Sequence, residues 1–338
     1  MRRIMTAAAS ILAVLPALAQ ENEAATTAIE IREWPVPWEK TRPRDPDVAA
    51  DGQIWFVGQA GDYVAVFDPE GEVFERFDLA DGAGPHNVIV TDDQEIWYSG
   101  NKAAHLGRLD PATGEIHRVP TPEDHAQDPH TLIEDSQGRI WFTVQWGNRI
   151  GRYDRGTGEI ELVGVSQPRS RPYGIKLDAE DNAWVALFGT NKLARVDAET
   201  FELTEIELPR KDARPRRLAH TDRGVFYGDY AEGYLGRYDP ESGEFKEWRM
   251  PGADKSGAYA MAADDRGRIW FVETWQDPNR FVGFDPETER FFAMGEIPSG
   301  GGTVRHMVFD PKTNSIWFGT DTNHIGQAMI PQPPEPET

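Results

Sequence analysis

Apolar residues in this chain come in short runs that alternate with polar ones, and no segment keeps the three-to-four spacing of an amphipathic helix. The stretch DPHTLIEDSQGRIWFTVQWGNRIGRYD, Asp128 to Asp154, shows the unit. It alternates from His130, turns at Gln137-Gly138, runs through Ile140-Trp141-Phe142 and alternates again to Tyr153. This is strand chemistry, because side chains on a strand alternate between two faces and Gly-containing pairs supply the turns. Four strands are predicted here, at about 130–134, 139–144, 149–153 and 159–163.

The unit recurs. Trp55, Trp97, Trp141, Trp184, Phe226, Trp270 and Trp317 mark its second strand, at gaps of 42, 44, 43, 42, 44 and 47 residues. A period near 43 fits a propeller blade or a helical array, and the strand pattern selects the propeller. A bulky ring returning at every period reads as packing between blades. The last unit runs from HIGQAMI into PQPPEPET and lacks an outer strand. IEIREWPVP, Ile29 to Pro37, looks like the outer strands GEIHRVPTP and GEFKEWRMP. The expected fold is all-β: a seven-bladed β-propeller of four-stranded blades, with the N-terminal strand closing the last blade and leaving no open sheet edge. The expected divisions are a signal peptide over 1–19, a linker over 20–28, one propeller over 29–329 and a disordered Pro/Glu-rich tail over 330–338.

Composition narrows the setting. MRRIMTAAASILAVLPALAQ has a basic start, a short apolar run and an Ala17-Leu18-Ala19 cleavage site, which predicts export to the periplasm or beyond. The run is too short to span a bilayer, and no later stretch is long enough. The formal charge is −22, and losing two arginines with residues 1–19 makes it −24. Such a surface disfavours nucleic acid and anionic lipid as partners. With no cysteine, disulfides and thiolate metal sites are excluded, so stability rests on the core and any metal needs oxygen or imidazole ligands. We expect a monomer that takes a small molecule or peptide in its central funnel.

Candidate chemistry gathers where the innermost strands begin. The residue eleven before each tryptophan is Arg44, His86, His130, Tyr173, Tyr259 or His306, and in blade five, one residue shorter, the match is Arg216. Polar side chains in every blade at one position read as facing a ligand or water, or as donors to nearby turns. The loops after the second strands bring Gln59, Asn101, Gln145, Phe188, Asp229, Tyr230, Glu273 and Asp321 to the same rim. The basic run PRKDARPRR, Pro209 to Arg217, reads as a solvated loop or as a patch that recognises an anion.

The repeated Pro-His-x-Ile, Ile-Trp-Phe-Thr and Asn-x-Ile-Gly-Arg segments resemble the streptogramin (virginiamycin) B lyase family. The fit is closest in the stretch quoted above and in RPYGIKLDAEDNAWVALFGTNKLARVD, and it spans about residues 30–326. The resemblance implies a lyase that opens a cyclic depsipeptide by elimination, with a histidine base and Mg²⁺ held by two acidic residues. Carried over by position, the base is His306, and the metal ligands are Asp321 with Glu273 in support. The family's second acid, two residues before the base, is here Val304, and a substrate-binding histidine one blade earlier is Tyr259. Arg44, His86, His130, Tyr173, Arg216 and Tyr259 are the expected substrate contacts. Two functions stay open: a metal-assisted carbon–oxygen lyase, and a propeller that binds a ligand or protein without catalysis. Metal-dependent lactone hydrolysis would need more carboxylates than the funnel offers.

Overall fold

The computed structural model describes residues 26–122 and 127–331; the expected signal peptide and most of the expected tail lie outside them. Seven antiparallel sheets follow one another around a central channel. In blade three the strands are Pro129–Glu134, Ile140–Val144, Arg149–Tyr153 and Ile160–Gly164, each within a residue of the sequence expectation. Apart from one 3₁₀ turn at Ala253–Lys255, the described elements are all strands. No described helix is long and apolar enough to cross a membrane.

The ring closes as the incomplete last repeat suggests. Glu30–Pro35 pairs antiparallel with His324–Met329 over six residues and becomes the outer strand of blade seven. Trp34 stacks on Trp317 at 5.6 Å, and the Asn323 side chain donates to the carbonyls of Val36 and Trp38 at 3.0 and 2.8 Å. Where a linker was expected, Thr27–Ala28 adds in parallel to Ala293–Met294 and gives blade six a short fifth strand. Ile29 follows directly and buries its side chain beside blade six, which brings the backbone of those two residues within ladder reach.

Both marks of the repeat have packing causes. The tryptophans are buried, and in blades three, four and six the indole N–H donates to an aspartate six residues earlier: Asp135, Asp178 and Asp264, at 2.8–2.9 Å. The glycine of Ile-Gly-Arg sits under the aromatic that follows the tryptophan. A Cβ on Gly151 would lie 2.3 Å from Phe142 Cζ, so only hydrogen fits.

Candidate functional site

Every innermost strand carries the same irregularity. In blade three Pro129 pairs with Val144 but Leu132 pairs with Phe142, so one extra residue is inserted between them. The shift recurs in all seven blades. A bulge breaks the in–out alternation, and here it turns two consecutive side chains per blade toward the axis. The upper tier is Arg44, His86, His130, Tyr173, Arg216, Tyr259 and Arg305. The lower tier is Asp45, Asn87, Thr131, Gly174, Arg217, Ala260 and His306.

Blade seven therefore corrects the sequence reading. Its hairpin is one residue longer, so Trp317 pairs nine residues back, with Val308, where Trp141 pairs eight back, with Ile133. Counting eleven from Trp317 lands on His306, but the register aligns Arg305 with His86 and His130. Two residues before Arg305 is Thr303, which is no more an acid than Val304.

The upper tier closes on itself through rings. His86 and His130 lie 3.5 Å apart between centroids, and His130 and Tyr173 4.1 Å. The Tyr173 and Tyr259 hydroxyls bond each other from blades four and six. The Arg216 guanidinium carbon is 3.5 Å from the Tyr259 ring centre, 4.3 Å from Tyr230, 4.5 Å from Phe188 and 5.1 Å from Tyr173. Arg44 donates to Asp45 at 2.9 Å and to Gln59 at 3.0 Å.

In the lower tier Arg217 spans the channel. It donates to Asp45 of blade one and Thr131 of blade three, both at 3.0 Å, and to the Arg305 carbonyl of blade seven at 3.1 Å. The approach needs Gly174, where a Cβ would come within 2.8 Å of Arg217 Cα. Besides Arg305, counting from tryptophan missed Asp45 and Arg217. The available signal was the pair of adjacent charged residues, Arg-Asp in PRDPDV and Arg-Arg in PRRLAH, at the place where blades two and three read Pro-His. The last two arginines of PRKDARPRR thus belong to the channel. Arg210 from the same run binds Asp229, Glu232 and Glu247, so the run is no merely solvated loop.

Charge follows from this packing. Burial alone would raise the Asp45 carboxyl, but Arg44 and Arg217, with His306, hold it well below the usual carboxylate range. Burial, then neighbouring cations, depress all three channel imidazoles: Arg44 acts on His86, and Arg217 and Arg44 on His130. His306 is pushed down to about 3 by burial and then Arg217, Asp45 opposing only in part. Burial would raise Tyr173, yet Arg216, Arg44 and Arg217 bring it down to about 8, while Tyr259 is raised by burial and by Tyr173.

The expected Mg²⁺ ligands are otherwise engaged. Both oxygens of Asp321 accept from Arg305, and Arg42 approaches at 3.5 Å. Glu273 is fully buried and accepts from Arg280 Nε at 2.6 Å and from the Gly252 N–H at 2.7 Å. Among the described residues no group of three or more His, Asp or Glu side chains converges to hold a metal. A hard cation needs several free oxygens; this rim presents guanidiniums. The residues do not fit Mg²⁺.

Comparison with known proteins agrees with the fold. The chain is similar to a streptogramin B lyase structure, with a TM-score of 0.80 and 22% identity over 89% of this chain and 97% of that one. A selenomethionine-substituted virginiamycin B lyase from Staphylococcus aureus gives 0.79 and 21%, over 90% of this chain and 100% of that one. The extracellular domain of a hybrid two-component system from B. thetaiotaomicron gives 0.67 and 16%, over 90% of this chain and 43% of that one. At such identities the likeness concerns the fold. No curated protein matches the sequence. The model of the virginiamycin B lyase family matches residues 29–328, and the chain belongs to that family.

Proposed function

We propose that this protein is an exported member of the family that binds a ligand in its central funnel and does not perform metal-assisted elimination. One observation carries the reading: Arg305 takes the ring position of blade seven and ties up both oxygens of Asp321. Elimination of the family type needs a base and an electrophile beside the developing oxyanion. Here the carboxylate that would seat the electrophile is neutralised. The imidazole at the expected base position, His306, has a basicity far below the neutral range in which a general base works best, and His86 and His130 are depressed as well. What is left is a ring of polar and aromatic side chains at the head of a plugged channel, the usual make-up of a binding site.

Mass spectrometry of streptogramin B and simpler depsipeptide lactones incubated with the protein and Mg²⁺ tests this. Elimination gives a linear isomer of unchanged mass, and hydrolysis adds a water. We expect the cyclic compound to persist. A linear isomer whose formation needs His306 would refute the proposal. Thermal melts with a panel of small acids, amines, sugars and peptides supply the positive arm. A ligand at 100 times its Kd stabilises by about 2.7 kcal/mol, which raises Tm by several degrees in a domain of this size.

A further inference from the structure

The channel head holds more positive charge than it neutralises. Among the described residues, Arg44, Arg216, Arg217, Arg305 and Arg42 meet only two carboxylates, Asp45 and Asp321. Arg216 has no described carboxylate partner; its cage is Tyr173, Phe188, Tyr230 and Tyr259, and its Nε is buried without an acceptor. Arg44 is 3% exposed, and its Nη2 has no acceptor among the described residues; Nδ1 of His86, 5% exposed, has no hydrogen-bond partner among them. Buried donors are costly unless something accepts from them. The phenol of Tyr173 responds to the same excess, losing its proton more readily than an isolated tyrosine despite its burial.

We propose that the funnel takes an anion, a carboxylate or phosphate group on a small organic molecule, between Arg44 and Arg216, with the attached body against the aromatic side of the rim. This rests on the ligand-binding reading above and names the class of ligand. Guanidiniums recognise such groups through in-plane N–H pairs, and the unsatisfied nitrogens of Arg44 and Arg216 are donors of that kind. On the aromatic side, Tyr230 packs on Phe188 at 5.7 Å and on Trp275 at 4.9 Å, and Trp275 is 46% exposed. The body is thus expected to be apolar or aromatic, giving contact area at little entropic cost.

Isothermal titration of the full protein with benzoate, phenyl phosphate, acetate and inorganic phosphate, with neutral benzamide as control, tests the proposal. We expect benzoate or phenyl phosphate to bind at least about 10-fold more tightly than benzamide, the range of a charge-assisted hydrogen bond. The better of the two names the anion. Arg216→Gln strands no carboxylate, so it should fold, and it should weaken that ligand roughly 10-fold or more. Arg216→Lys should recover part of the loss. A second readout needs no variant: the anion competes with tyrosinate for the guanidiniums, so the earliest tyrosine ionisation, followed in the ultraviolet, should move to higher pH. Benzamide binding as tightly as benzoate would overturn the anion while leaving a ligand-binding funnel. Absence of any anion binding at 10 mM, or affinity unchanged in Arg216→Gln, would also overturn it.

Discussion

Acidification should destabilise this protein through its channel histidines before its ordinary surface carboxylates titrate. His86 and His130 are buried, 5% and 1% exposed, and His306 sits beside Arg217 and Asp45. All three are held neutral in the fold and become protonated near pH 6.5 once the chain is unfolded. A base depressed in the folded state destabilises that state as pH falls below the unfolded value, by about 1.4 kcal/mol per pH unit for each group. Three give about 4. Asp47 works in the opposite sense: burial raises it to about 6, so its contribution is lost as pH rises through that value and regained on acidification. It offsets about 1.4 kcal/mol per pH unit below pH 6. Asp45 is held low, and its contribution is lost only in strong acid.

The three histidines and Asp47 together give a slope of about 3 kcal/mol per pH unit between pH 6 and 4.5. A fold of ordinary stability, about 5–15 kcal/mol, would lose a large part of that within two pH units. Urea denaturation at pH 7, 6 and 5 measures it. His130→Gln keeps the site uncharged and should remove roughly one third of the histidine slope, whatever it costs in absolute stability. A free energy that stays flat from pH 7 to 5, or a slope unaltered in His130→Gln, would refute the reasoning.

Two predictions concern the scaffold. Deleting residues 20–38 removes the strand paired with His324–Met329 and opens both edges of the ring; thermal melting should lose its single sharp transition, and a truncated chain that melts like the full one would contradict the clasp. Gly174→Ala should cost about 1–3 kcal/mol in urea denaturation, because the added methyl meets Arg217 Cα and the Arg216 carbonyl, which are backbone atoms and cannot step aside.

Most of the architecture is legible in the sequence because its signals are redundant. Seven aromatics, seven turn clusters and a displaced IEIREWPVP strand all give the same count, and an error in any one is outvoted by the rest. The channel has no such redundancy. Each blade contributes two residues set by a bulge, and a bulge marks the sequence only as one local break in the alternation at the head of a strand. Arg305 shows the consequence: one residue added between Asp310 and Ser315 moves the tryptophan ruler without moving the channel. Counting from the aromatic therefore finds the right neighbourhood and the wrong residue. Asp45 and Arg217 escape for a related reason, since a ruler that selects one position per blade cannot find the second.

The bulge also explains how such a site can change its chemistry while the blades stay fixed. The strand pairs on either side of it involve Pro129 and Leu132 in blade three, and in six of the blades the two intervening residues are not paired in the ladder; in blade one Arg44 still pairs with Val57. The partners of the intervening side chains are each other and the rim loops, such as Gln59, Phe188, Tyr230 and Asp321. At the blade-seven position the residue is Arg305, whose charge needs a counter-charge, and Asp321 on the neighbouring loop supplies one. Arg217 needs Asp45 in the same way, across the full width of the channel. Each of these two guanidiniums thus occupies a carboxylate that could otherwise hold a metal. Arg216 is where the supply ends: it is stacked on four aromatic rings, and the charge left on it awaits an anion from outside.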